Sequence, residues 1–95
     1  MLINNTAKQY KGFTREQVKL LNKIIDDNQN KYFKNKWSKD MVAGEVKKDF
    51  TGLIKDLIDR EDYQFASELL KDFRSILRTM TISVLMYIRD NSQKQ

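Results

Sequence analysis

Three stretches of this chain repeat apolar residues every three or four positions, the period of an amphipathic helix. In the first, Val18, Leu21 and Ile25 form a stripe that Leu20 and Ile24 widen. Thr14 is a good N-cap, Gln17 completes a capping box with it, and Phe13 and Val18 occupy the two positions of a hydrophobic staple. The stripe reaches Tyr32 only through Asp26-Asp27-Asn28-Gln29-Asn30. Asn and Asp favour caps and turns, so fraying is expected there.

The second stretch starts at Ser38, an N-cap residue, with Trp37 and Val42 at staple positions. Its stripe is Val42, Val46, Phe50, Leu53 and Leu57, flanked by Met41, Ile54 and Ile58. Gly44 and Gly52 fall inside it, nearly in phase, and each costs about 1 kcal/mol relative to alanine. That cost suggests close approach of a neighbouring helix. Asp59-Arg60-Glu61-Asp62 then breaks the pattern as a tight turn, with Asp59 or Asp62 as the next cap.

The third stretch is the longest: Ala66, Leu69, Phe73, Ile76, Met80, Ser83 and Tyr87, broadened by Phe65, Leu70, Leu77 and Val84. A continuous helix from Tyr63 to Ile88 would be about 39 Å long, more than the two shorter helices would cover. Near its end Met80, Ile82, Val84, Leu85, Met86 and Ile88 are apolar almost all the way round, which asks for partners on every side. The expected architecture is all-α: an antiparallel three-helix bundle with a long C-terminal helix, open to completion by oligomerisation as a homodimer or higher oligomer. Residues 13–90 form the single helical domain, 1–12 a flexible arm and 91–95 a frayed tail. The expected self-association residues are Met80, Val84, Tyr87 and Ile88.

Composition narrows the chemistry. The 95 residues hold no proline, no cysteine and no histidine. Disulfides, zinc sites built on Cys or His, thiol nucleophiles and His-based acid/base catalysis are therefore ruled out. No catalytic, metal-binding or cofactor-binding residue is assigned, and the chain is expected not to be an enzyme. With 40% hydrophobic and 33% charged residues it reads as globular rather than disordered. The start lacks a basic region followed by an apolar core, and no apolar stretch approaches the roughly 20 residues that span a bilayer. A soluble, cytoplasmic protein with no membrane partner is expected.

The net charge of +5 comes from residues 1–50, which carry 11 Lys or Arg against six Asp or Glu. The run Lys31-Tyr32-Phe33-Lys34-Asn35-Lys36-Trp37-Ser38-Lys39 stands out there, with four lysines, three aromatics and no acid. Lysines draw anions, and flat rings give contact area at low entropic cost. The candidate macromolecule-binding residues are Lys31, Lys34, Lys36, Trp37 and Lys39. A competing explanation packs the aromatics into the core and leaves the lysines to the dipole of a helix C-terminus. Lys47-Lys48 is partly neutralised by neighbouring Glu45 and Asp49 and reads as an ordinary solvated face, and Lys71, Arg74 and Arg78 form a charged stripe. The acids Asp56, Asp59, Glu61 and Asp62 lack the spacing and glycine of a calcium loop.

The segment from Leu57 to Ala66 resembles the turn of the UVR-type helical hairpin, a family of protein-contact modules. Ser67-Glu68-Leu69-Leu70 replaces the family's Ala-x-x-Arg-Asp continuation. A tryptophan between two helices is also similar to the small ESX-type hairpins, but Ser38-Lys39 follows it in place of their Trp-x-Gly turn. Neither family's partners carry over. The functional expectation is a non-enzymatic helical protein that binds another macromolecule as an inhibitor, adaptor or regulator. A chain rich in lysine and asparagine at this length suits a phage or mobile element. A protein partner is expected; the alternative is nucleic acid bound through the same lysines without strong sequence preference.

Overall fold

The first helix begins with the reciprocal bonds of a capping box: the Thr14 N–H donates to Gln17 Oε1 at 2.9 Å, and the Gln17 N–H donates to Thr14 Oγ1 at 3.2 Å. In the computed structural model, residues 12–35 and 38–92 are described, with side chains for all of these except 32–35 and 92. Trp37, Lys36 and most of the expected arm and tail lie outside the described residues. All four regular elements among those residues are helices: α1 (Arg15–Asn35), α2 (Lys39–Asp59), α3 (Tyr63–Lys71) and α4 (Phe73–Ser92).

The polar stretch Asp26–Asn30 does not fray; α1 runs through it, with Asn28 and Gln29 buried. Asn28 Nδ2 donates to Ile24 O at 2.8 Å and to Asp49 Oδ2 at 2.9 Å, so its polarity is used across the helix seam rather than in a turn. Downstream, α2 starts at Ser38, whose Oγ accepts from the Met41 N–H at 3.3 Å. It ends in a Schellman arrangement: the Asp62 N–H donates to Leu57 O and the Glu61 N–H to Ile58 O, with Glu61 in the left-handed region at φ 64°. Asp62 then caps α3 by accepting from the Phe65 N–H at 3.4 Å.

The expected long C-terminal helix is two helices. Asp72 interrupts it with φ −110° and ψ 28°, and its N–H reaches Glu68 O only at 3.4 Å. Neither glycine nor proline causes the break. Aspartate is a weak helix former, and Phe73 next to it stacks on Phe50 with ring centroids 5.1 Å apart. The short α3 packs on α2 and touches α4, whereas α1, α2 and α4 each touch the other two.

The core follows the apolar stripes. Leu21 and Ile25 from α1, Val42, Val46, Phe50 and Leu57 from α2, Phe65 and Leu69 from α3, and Met80 and Val84 from α4 are almost fully buried. Phe13 closes one end, its ring meeting Phe65 edge-on at 5.4 Å. Burying a side chain of this size contributes about 1.5–3 kcal/mol, which sets the scale for the core. Met41 and Ile58, which flank the α2 stripe in sequence, face outward.

Candidate contact surface

Lys31 belongs to the seam between α1 and α2. Its Nζ lies 3.3 Å from Asp49 Oδ2 and 3.4 Å from Glu45 Oε2. Asn28 bonds the same Asp49 oxygen, so one carboxylate ties two successive turns of α1 to α2. Ascending positions of α1 thus meet descending positions of α2, which makes the two helices antiparallel along this seam. Burial pulls the Lys31 pKa down, but attraction and hydrogen bonding from Asp49 and Glu45 outweigh it and hold the pKa above 10.5, the ordinary lysine value. On the far side of α1, partial burial and the neighbouring Asp27 charge raise the Asp26 carboxyl.

Lys31, the first lysine of the basic-aromatic run, therefore has balancing acids, supplied by α2 rather than by its own sequence. Of its five candidate residues, Lys31 is half-buried at the seam and Lys39 is exposed in the first turn of α2. Lys34, Lys36 and Trp37 have side chains outside the described residues.

The same contacts change the reading of Lys47 and Lys48. Glu45 and Asp49 are one helical turn apart on the side facing Lys31, and Lys48 points about 100° away from Asp49. The carboxylates expected to neutralise the lysine pair are spent on Lys31. Lys47, Lys48 and Lys55 are exposed and make no ion pair among the described residues. Gly44 and Gly52 lie exposed beside them, and a Cβ on either would meet nothing within 4 Å. Among the described residues no helix approaches these glycines, contrary to the sequence expectation. Contiguous bare lysine and bare backbone on α2 were hidden in the sequence by the two acids interspersed with them.

The expected self-association set divides. Met80 and Val84 are fully buried in the chain's own core, so they offer no surface to a second copy. Tyr87 and Ile88 are half-buried, Ile88 against that core. The apolar residues that α4 leaves outside are Ile82 and Met86, 44% and 42% exposed and one turn apart. Helical phase places them opposite Met80 and Val84.

Elsewhere the chemistry is sparse. Lys71 and Arg74 line an open depression of about 470 Å³ at the α3–α4 break, with Leu70, Asp72, Phe73 and Ser75. Arg78 is exposed further along α4. Asp56, Asp59 and Glu61 are exposed and Asp62 serves as a cap. Among the described residues no group of three or more acidic side chains is placed to hold a metal, and no helix is long and apolar enough to cross a membrane. Among the described residues, buried Asn22 Oδ1, Asn28 Oδ1 and Gln29 Nε2 lack hydrogen-bond partners. No family model matches the chain, and no curated protein or solved structure is significantly similar to it.

Proposed function

We propose that the protein works without a catalytic step, by holding another protein through the basic side of α2 and the adjoining α1–α2 junction, as an inhibitor, adaptor or regulator. One observation carries this reading. The Lys31 contacts engage the half-buried Glu45 and Asp49, leaving Lys39, Lys47, Lys48 and Lys55 on one helix without ion pairs among the described residues. Asp40, Asp56 and Asp59 are exposed towards the two ends of α2, but between positions 41 and 55 the exposed charges are all lysines, where a solvated face normally intersperses both signs. Lys34, Lys36 and Trp37 adjoin this surface in sequence and belong to the proposed contact. Lys31 is its internal support.

Affinity capture from cells of the protein's source tests the proposal, comparing wild type with K39E/K47E/K48E/K55E and treating half of each sample with nuclease. A nuclease-resistant partner lost from the variant supports it. Capture that vanishes on nuclease treatment, with affinity falling steeply and log-linearly with salt, favours nucleic acid instead. The proposed assembly is an antiparallel arrangement of α1, α2 and α4, with a second copy covering Ile82 and Met86. Light scattering that returned only the single-chain mass over a wide concentration range would remove that second copy.

A further inference from the structure

Among the described residues, the buried side-chain atoms that lack a hydrogen-bond partner are Asn22 Oδ1, Asn28 Oδ1 and Gln29 Nε2, and all three belong to α1. Their residues are 6%, 0% and 7% exposed, so little water reaches them. A polar atom that has lost its water and gained no partner weakens the docking of the helix that carries it. The rest of the described interior differs. Every buried residue of α2 and α3 is apolar, and the buried polar residue of α4, Ser83, donates its Oγ–H to Thr79 O at 2.9 Å.

Helical phase spreads the cost over α1. Asn28 lies toward α2, where its amide reaches Asp49. Asn22 and Gln29 are seven residues apart and share the opposite edge of the stripe formed by Leu21 and Ile25. The other helix that α1 touches is α4, so the uncompensated atoms fall on both of its seams. Chain order makes α1 separable as well. It precedes α2, α3 and α4, which follow one another and each touch the other two. Lifting α1 away breaks its own seams, the Phe13–Phe65 ring contact and the Lys31 contacts. It leaves the packing among the other three helices in place.

From this asymmetry we infer that α1 is a cover that undocks as a unit while α2, α3 and α4 stay packed together. Lys31, held by Asp49 and Glu45, is its latch. The open state presents apolar side chains of α2 and α4 that the closed chain keeps from solvent. This surface is distinct from the basic side of α2, and the inference stands whether or not that side binds a partner.

Native-state hydrogen exchange of the full chain, followed by mass spectrometry, tests the cover. Amides of residues 18–31 should exchange through an opening at least about tenfold more populated than the one that exposes residues 46–57 and 76–84. N22L/Q29M replaces the two amides by apolar side chains and should raise α1 protection about tenfold. Asn30→Leu, at an exposed position, brings the same gain in helix propensity and should raise it far less. Leu69→Val thins the core on the α3 side and should lower protection of α2 and α4 severalfold while α1 stays unchanged. Equal protection of all the helices, or α1 falling in step with α2 and α4 in Leu69→Val, would overturn the inference. So would α1 protection that N22L/Q29M leaves unchanged or lowers, or that Asn30→Leu raises equally.

Discussion

Lys31 Nζ and Asp49 Oδ2 stand 3.3 Å apart across the seam of two helices, although 18 residues separate them in sequence. This contact moves charge from where the sequence displays it to where the fold uses it. A partly buried pair of this length, with side-chain exposures of 39% and 26%, contributes modestly after solvent screening. A double-mutant cycle with Lys31→Met and Asp49→Asn should give a coupling of about 0.5–1 kcal/mol by thermal melts. A coupling indistinguishable from zero would show that the seam does not depend on this pair.

The pH dependence follows from the raised lysine pKa. A lysine whose folded pKa exceeds its unfolded value contributes stability that is fully present below the unfolded pKa. That stability is lost as pH rises through the folded value. The melting temperature difference between wild type and Lys31→Met should therefore stay constant from about pH 7 to 9 and shrink above about pH 10.4. Taking the difference cancels titration of the other lysines and tyrosines. A gap that widened at alkaline pH would contradict the assigned partners.

Glu61 occupies a position that glycine usually fills. Its φ of 64° costs about 1–2 kcal/mol for an ordinary side chain, offset partly by the extra unfolded-state freedom that glycine would bring. Glu61→Gly should stabilise the fold by about 0.5–1 kcal/mol, a rise of several degrees in Tm for a chain of this size. Calorimetry showing a lower Tm would mean that the glutamate side chain supports the turn in some other way.

Local chemistry made the helix starts legible. Thr14 with Gln17, Ser38, and Asp62 each satisfy an early N–H within three residues, and all three behave as their sequence positions imply. The break at Asp72 was not legible, because the apolar repeat runs through it and neither glycine nor proline marks it. Asn28 misled for the opposite reason. Its type favours a turn, but its side chain finds Asp49 only after α1 and α2 meet. The contact surface suffered most, since adjacency in sequence paired Glu45 and Asp49 with Lys47 and Lys48, whereas helical phase turns them to Lys31. Met80 and Val84 likewise looked available until the fold placed them on the inner side of α4, leaving Ile82 and Met86 outside.

One comparison tests the division of labour among these lysines most directly: partner binding by Lys31→Met against binding by K47E/K48E/K55E, both measured on protein shown to be folded. If Lys31 is structural and α2 is the contact surface, Lys31→Met keeps wild-type affinity while the triple variant loses roughly tenfold or more. The reverse pattern, with binding lost on replacing Lys31 and kept by the triple variant, would contradict the account.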